Sequence, residues 1–161
     1  SKVLPKEYFD LITSFEVIEH LFNPDNLLEN VKNLLRPGGY LILSTPNLAS
    51  WANRLFLLMG FKPQHYELSL KYKVGGLFGP LPQSEMLGDH IRVYPLRALK
   101  QHLKAYGLKV IRTYGAPIPI IHSRQTYLLK SLDFLYNTLD RIISKIPSLA
   151  SDVVVVAKKD I

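Results

Sequence analysis

The chain has 161 residues, a length suited to one domain. A composition of 47% hydrophobic and 20% charged residues, with 11 Pro and 9 Gly, excludes disorder, collagen and coiled coil. With no Cys, a disulfide scaffold, a thiolate nucleophile and a zinc–thiolate site are excluded as well. The net charge of +7 is unevenly spread. Residues 1–50 carry four bases and six acids, whereas residues 51–161 carry sixteen bases and seven acids. A basic C-terminal part suits an anionic substrate, a nucleic acid, an anionic membrane surface or plain solvation. No DNA- or RNA-binding signature accompanies it. No apolar run reaches the roughly 18 residues that span a bilayer, and Ser1–Lys6 has no signal-peptide core. The expected location is therefore cytoplasmic, with peripheral membrane contact left open. The missing initial Met suggests a chain cut from something longer.

In chain order, Phe9–Phe15 is a short apolar run of β-formers and reads as a buried strand. Asn23-Pro24 supplies an N-cap and a proline at the first helical position, and Leu27, Leu28, Val31, Leu34 and Leu35 follow at helical spacing. Arg36-Pro37-Gly38-Gly39 stops that helix, and residues 40–45 form a second buried strand. Strand, helix and strand with short joints predict a βαβ unit and a parallel sheet. A helix within 48–59 is predicted next, then irregular chain over 62–89 that includes Gly75-Gly76-Leu77-Phe78-Gly79. Leu96, Leu99, Leu103 and Tyr106 line a helix stopped by Gly107, and residues 108–114 alternate like a strand. Leu128, Leu132, Leu135, Leu139, Ile142 and Ile146 mark the apolar face of a helix over 127–146. Residues 152–158 are a last, valine-rich strand.

The order of Phe9-Asp10-Leu11-Ile12, Glu16-Val17-Ile18-Glu19-His20, Leu35-Arg36-Pro37-Gly38-Gly39 and Thr45-Pro46-Asn47 resembles class I S-adenosylmethionine-dependent methyltransferases. The small-molecule O-methyltransferases are the nearest subset. Gly88-Asp89-His90-Ile91-Arg92-Val93-Tyr94, followed by a helix and Gly107-Leu108, is similar to the same group. The resemblance covers residues 8–47, 88–114 and 152–159. It implies an α/β, Rossmann-like fold truncated to its C-terminal half, strands four to seven of seven, with helical insertions. The expected division of this single partial domain is a strand–helix–strand core over 1–47, an insertion over 48–95, and a helix–strand core over 96–114. A helical insertion over 115–151 and a last strand over 152–161 complete it. The family's glycine-rich turn and ribose-binding acid have no counterpart among these residues; Gly75–Gly79 follows no convincing strand. The first strand then becomes an edge that invites pairing with another chain, so self-association is expected. S-adenosylmethionine is expected to bind this chain alone weakly.

Glu16, Glu19 and His20 follow the first strand at its carboxyl end, where ligands bind in such sheets. The resemblance places Phe15 and Glu16 beside the cofactor's methionine and sulfonium region; the plain alternative for Glu16 is a solvated loop acid. Glu19 either serves the site or starts the next helix, where an acid favours the positive dipole end. In the favoured, metal-free reading His20 is the general base, paired with Glu19 as the catalytic residues. The resemblance also implies an alternative, because some relatives, among them RNA 2′-O-methyltransferases and ubiquinone-pathway O-methyltransferases, hold a metal at an E-x-x-E-H cluster. Glu16, Glu19, His20 and His90 would then bind Mg²⁺ or Mn²⁺. His90, Arg92 and Tyr94 alternate and are expected on one face or in a hydrogen-bonded loop. His65, Tyr66, His102 and His122 show no partner pattern, and His102 is expected to be exposed.

Residues 51–61 and 127–146 are amphipathic with Arg54, Lys62, Lys130, Arg141 and Lys145 nearby. They either cover the sheet, form an apolar lid, or lie on a membrane surface. The function implied is methyl transfer from S-adenosylmethionine to an oxygen of a small-molecule, lipid-linked or glycan-linked acceptor. A metal-assisted RNA 2′-O-methyltransferase and a non-catalytic half-domain that needs a partner chain are the alternatives.

Overall fold

The computed structural model describes residues 4–69, 71–76, 81–82, 90–119 and 127–160. Leu77–Gly79 of the glycine-rich stretch, Gly88, Asp89 and His122 lie outside the described residues. The elements are β1 (Phe9–Phe15), a 3₁₀ turn (Ile18–His20), α1 (Pro24–Leu34), β2 (Leu35–Pro46) and α2 (Trp51–Leu58), then the two-residue β3 (Tyr72–Lys73) and β4 (Leu81–Pro82). They continue with α3 (Leu96–Ala105), β5 (Leu108–Ala116), α4 (Tyr127–Ile143) and β6 (Asp152–Lys159). The main sheet has the order β1-β2-β6-β5; β3 and β4 form a separate pair.

α1 starts as its sequence dictates: the Asn23 side chain accepts from the Asn26 N–H at 3.1 Å, and Pro24 fills the first position without wasting a donor. Its C-terminus differs from expectation. No separate turn intervenes, because Leu35 already pairs with Phe9. β2 thus begins five residues before Tyr40 and absorbs the proline and glycines through an irregularity in its pairing, with Gly38 at φ +76°. β1 and β2 are parallel with α1 between them, as the βαβ pattern predicts. β6, whose direction the sequence left open, lies antiparallel between β2 and β5.

One face of the sheet is closed. Leu28 and Val31 of α1, and Leu99 and Leu103 of α3, pack on Leu41, Leu43, Val153 and Val155 in one buried cluster. Alternation sends the intervening residues to the opposite face. There Leu11 pairs with Tyr40, Phe15 with Ser44, and Tyr114 with Val154. Leu11, Phe15, Tyr40 and Tyr114 are exposed on that face.

Of the readings open for α4, covering the sheet with its apolar face is not the one seen. Its apolar positions Leu132, Leu135, Leu139 and Ile142 are exposed, while Asp140 is buried and Tyr136 half-buried. Polar bonds fix this orientation. The Trp51 indole N–H donates to Asp140 at 2.8 Å, the Ser151 hydroxyl at 2.6 Å and the Ile118 backbone N–H at 2.9 Å. Gly115 admits the chain that follows α4, since a Cβ there would stand 2.1 Å from the Ser144 carbonyl oxygen.

Candidate functional site

The carboxyl ends of β1 and β2 and the start of β6 share one edge of the sheet, the edge at which open α/β sheets bind ligands. Phe15 ends β1 and is exposed there. The chain then turns sharply: Glu16 adopts φ +51°, a left-handed conformation that is strained for a residue with a Cβ. Two bonds to β2 hold it. The Glu16 N–H donates to the Ser44 carbonyl at 3.2 Å, and the Ser44 hydroxyl donates to the Glu16 carboxylate at 2.5 Å.

Three residues on, the 3₁₀ turn carries Glu19 inward, with no exposed surface left. Of the two roles open to Glu19, starting the next helix is not the one seen, because α1 begins only at Pro24. The Thr45 hydroxyl donates to Glu19 Oε2 at 3.1 Å. Oε1 is buried with no hydrogen-bond partner among the described residues, and His20 Nε2 stands 3.9 Å away. Burial first, and the negative charge of Glu16 after it, raise the Glu19 pKa.

The segment after the long insertion is strapped over this turn. The Glu19 carbonyl accepts from the Ile91 N–H at 2.8 Å and the Arg92 N–H at 3.0 Å. The Arg92 guanidinium donates to the Leu21 carbonyl at 2.6 Å. The strap lays the His90 ring on that of His20, with centroids 4.6 Å apart and planes 29° from parallel. His65, itself at φ +60°, meets His90 edge-on at 5.2 Å. Burial, and then the neighbouring His90, lower the His65 pKa.

Of the four residues expected around a metal, three converge. Glu19, His20 and His90 each present a ligand atom, all within 4.8 Å of one another. Glu16 is not in that group; its carboxylate is taken by Ser44. His90, Arg92 and Tyr94 divide their work: His90 stacks on His20, Arg92 pins the turn, and Tyr94 joins Asn47 in a short parallel bridge. His102 is not exposed as expected. It is half-buried and bonds Asp25 of α1 at 2.9 Å.

Four residues at this edge were not assigned to it from the sequence. Ser44 and Thr45 are a polar pair at the end of an apolar strand, and that break in pattern was their signal. Their alternation sends one to Glu16 and the other to Glu19. Asp152 opens a run of four valines opposite Pro46 and Ala116. Burial, and then the charge of Glu16, push its carboxyl up to about 7. His65 gave no local signal, since the fold alone brings it to His90.

Residues 3–113 match the family model described as "Methyltransferase domain". A ubiquinone biosynthesis O-methyltransferase of Glaesserella parasuis is 42% identical over 52 residues, 32% of this chain and 22% of that protein. One from Maricaulis maris is 28% identical over 109 residues, 53% of this chain and 43% of that protein. The chain spans less than half the length of these curated relatives. A solved SAM-dependent methyltransferase of Thermotoga maritima superposes with a TM-score of 0.55 at 17% identity, over 99% of this chain and 60% of that one. The Burkholderia thailandensis 1,6-didemethyltoxoflavin-N1-methyltransferase, solved with S-adenosylhomocysteine, gives 0.52 at 12% identity, over 99% and 48%. These likenesses show a Rossmann-like methyltransferase fold.

Proposed function

This chain belongs to the methyltransferase-domain family of class I S-adenosylmethionine-dependent enzymes, and we propose that it serves methyl transfer to an oxygen of a small or lipid-linked acceptor. The convergence of His20, His90 and the buried Glu19 at the ligand-binding edge of the sheet carries the reading. The oxygen acceptor follows the O-methyltransferase activity for which these relatives are named. The residues fit the cofactor: exposed Phe15 offers an apolar ring, and Glu16 a carboxylate, to a ligand that carries an ammonium and a sulfonium.

S-adenosylmethionine, when bound, supplies a methyl group on a positively charged sulfur. The chain's own residues position and deprotonate. Phe15 and Glu16 would hold the methionine part of that group. His20 would accept the hydroxyl proton of the acceptor as the methyl carbon exchanges its bond to sulfur for one to that oxygen, the neutral thioether leaving. Glu19, 3.9 Å from His20 Nε2, steadies the imidazolium that results. His90 fixes the plane of the His20 ring by stacking on it. Most of the rate enhancement then comes from positioning.

Methyl transfer by the intact protein from labelled S-adenosylmethionine tests this. His20→Ala should lower kcat roughly 10²–10⁴-fold, the usual range for a placed acid or base. A kcat within a factor of about two of wild type would reject it.

Glu19 Oε1, buried without a hydrogen bond among the described residues, favours a second reading. One carboxylate and two imidazoles within 4.8 Å form a face for a divalent ion, and the mixed oxygen and nitrogen donors suit Mn²⁺ better than Mg²⁺. Under it, chelation abolishes turnover, Mn²⁺ restores it, and calorimetry detects Mn²⁺ binding that Glu19→Gln removes. Under the first reading chelators change nothing.

A further inference from the structure

α4 is amphipathic and packs with the wrong face inward. On the domain side stand Tyr136, Asp140 and Ser144, one helical turn apart. Asp140 alone accepts from the Trp51 indole, the Ser151 hydroxyl and the Ile118 backbone. The Tyr136 ring lies against the Trp51 ring at 5.3 Å. Leu132, Leu135, Leu139 and Ile142 recur at steps of three and four on another face, and with Ile146 in the turn that follows they are 53%, 55%, 39%, 57% and 52% exposed. The helix cannot roll to bury them without breaking every bond to Asp140. Leu57 and Leu58 of α2, the helix that Trp51 begins, are exposed as well, at 55% and 84%. An apolar stripe of this length held outward marks an interaction surface.

We propose that α4 docks the protein on an anionic lipid bilayer surface, with the stripe from Leu132 to Ile146 in the boundary layer. Charge chooses the occupant. Over 131–146 the exposed charges are Arg141 and Lys145, both basic, while Asp140 is buried and Asp133 half-buried. Basic residues beside an apolar stripe snorkel to lipid headgroups. The sixteen bases against seven acids of residues 51–161 add long-range attraction to the same surface. Seam-like spacing also suits a partner helix, but a second copy would set Lys145 and Arg141 against their own kind on a chain of net charge +7. Among the described residues no helix is long and apolar enough to cross a membrane, so the contact is peripheral.

Flotation of the full chain with phosphatidylglycerol-containing vesicles and with pure phosphatidylcholine vesicles tests the proposal. Most of the protein should float with the anionic vesicles, with at least a tenfold smaller fraction on the neutral ones. Leu135→Glu with Ile142→Glu should abolish flotation, and Arg141→Gln with Lys145→Gln should cut it several-fold. The Trp51 emission reports whether α4 remains seated; if the glutamates disturb it, Leu135→Ser with Ile142→Ser replaces them and should still lower flotation. Protein that stays in solution with anionic vesicles, or floats equally with both kinds, overturns the proposal. So does a dimer in sedimentation that ignores vesicles and is split by the same stripe variants.

Discussion

At Asp152 burial, reinforced by the charge of Glu16, lifts the carboxyl from its ordinary 3.8 to about 7. Such an acid keeps its proton in the folded chain after the unfolded chain has lost it. The stability it contributes is complete below about pH 4 and is lost as pH rises through about 7. Asp152→Asn should therefore melt close to wild type at about pH 4 and several degrees higher at about pH 8, at roughly 2–4 °C per kcal/mol for a chain of this size. Calorimetric scans across that range check it; an equal shift at both pH values would contradict it. Glu19 behaves in the same direction, its pKa being raised by burial first and by Glu16 second. Glu16, Glu19 and His20 were legible as candidates because they follow a strand that ends at the ligand edge. Asp152 and His65 were not, because their nearness to that edge depends on how β6 inserts and how the long insertion returns.

Elements were legible in proportion to how locally they are determined. α1 declares its N-terminus through Asn23 and Pro24, and Asn23→Ala should cost about 1 kcal/mol in a urea melt. A cost near zero would mean that the cap is not holding the helix. β6 was readable as a strand from its valines, yet its antiparallel direction was not, since direction is set by the path between β5 and β6. α4 was legible as an amphipathic helix but not in its orientation. Periodicity identifies an apolar face but not the side that meets the domain, and here the bonds to Asp140 decide it. The fit of the following chain against β5 rests on Gly115. An added Cβ would lie 2.1 Å from the Ser144 carbonyl oxygen and 2.5 Å from Ala150 Cβ. Gly115→Ala should lose roughly 3 kcal/mol or more, since neither neighbour is a flexible side-chain tip. A loss under about 1 kcal/mol would show that the backbone yields there.

For the molecule as a whole, the sheet closes one face with α1 and α3 and leaves β1 as an edge with Leu11 and Phe15 exposed. Unpaired strand backbone beside apolar side chains favours association, which the exposed Asp10–Arg36 ion pair on that edge only partly blunts. Light scattering of the 161-residue chain should show self-association that Leu11→Lys reduces; a monodisperse monomer at high concentration would contradict this. The parallel β1–β2 pair also sets the central claim, that its carboxyl end holds the methyl donor between Phe15 and Glu16. Titration calorimetry of the intact protein with S-adenosylmethionine and S-adenosylhomocysteine tests it most directly. Phe15→Ala should weaken both about tenfold, a change of ~1.4 kcal/mol. Glu16→Gln should weaken the sulfonium ligand more than the neutral thioether. Unchanged affinity in both variants would contradict the account.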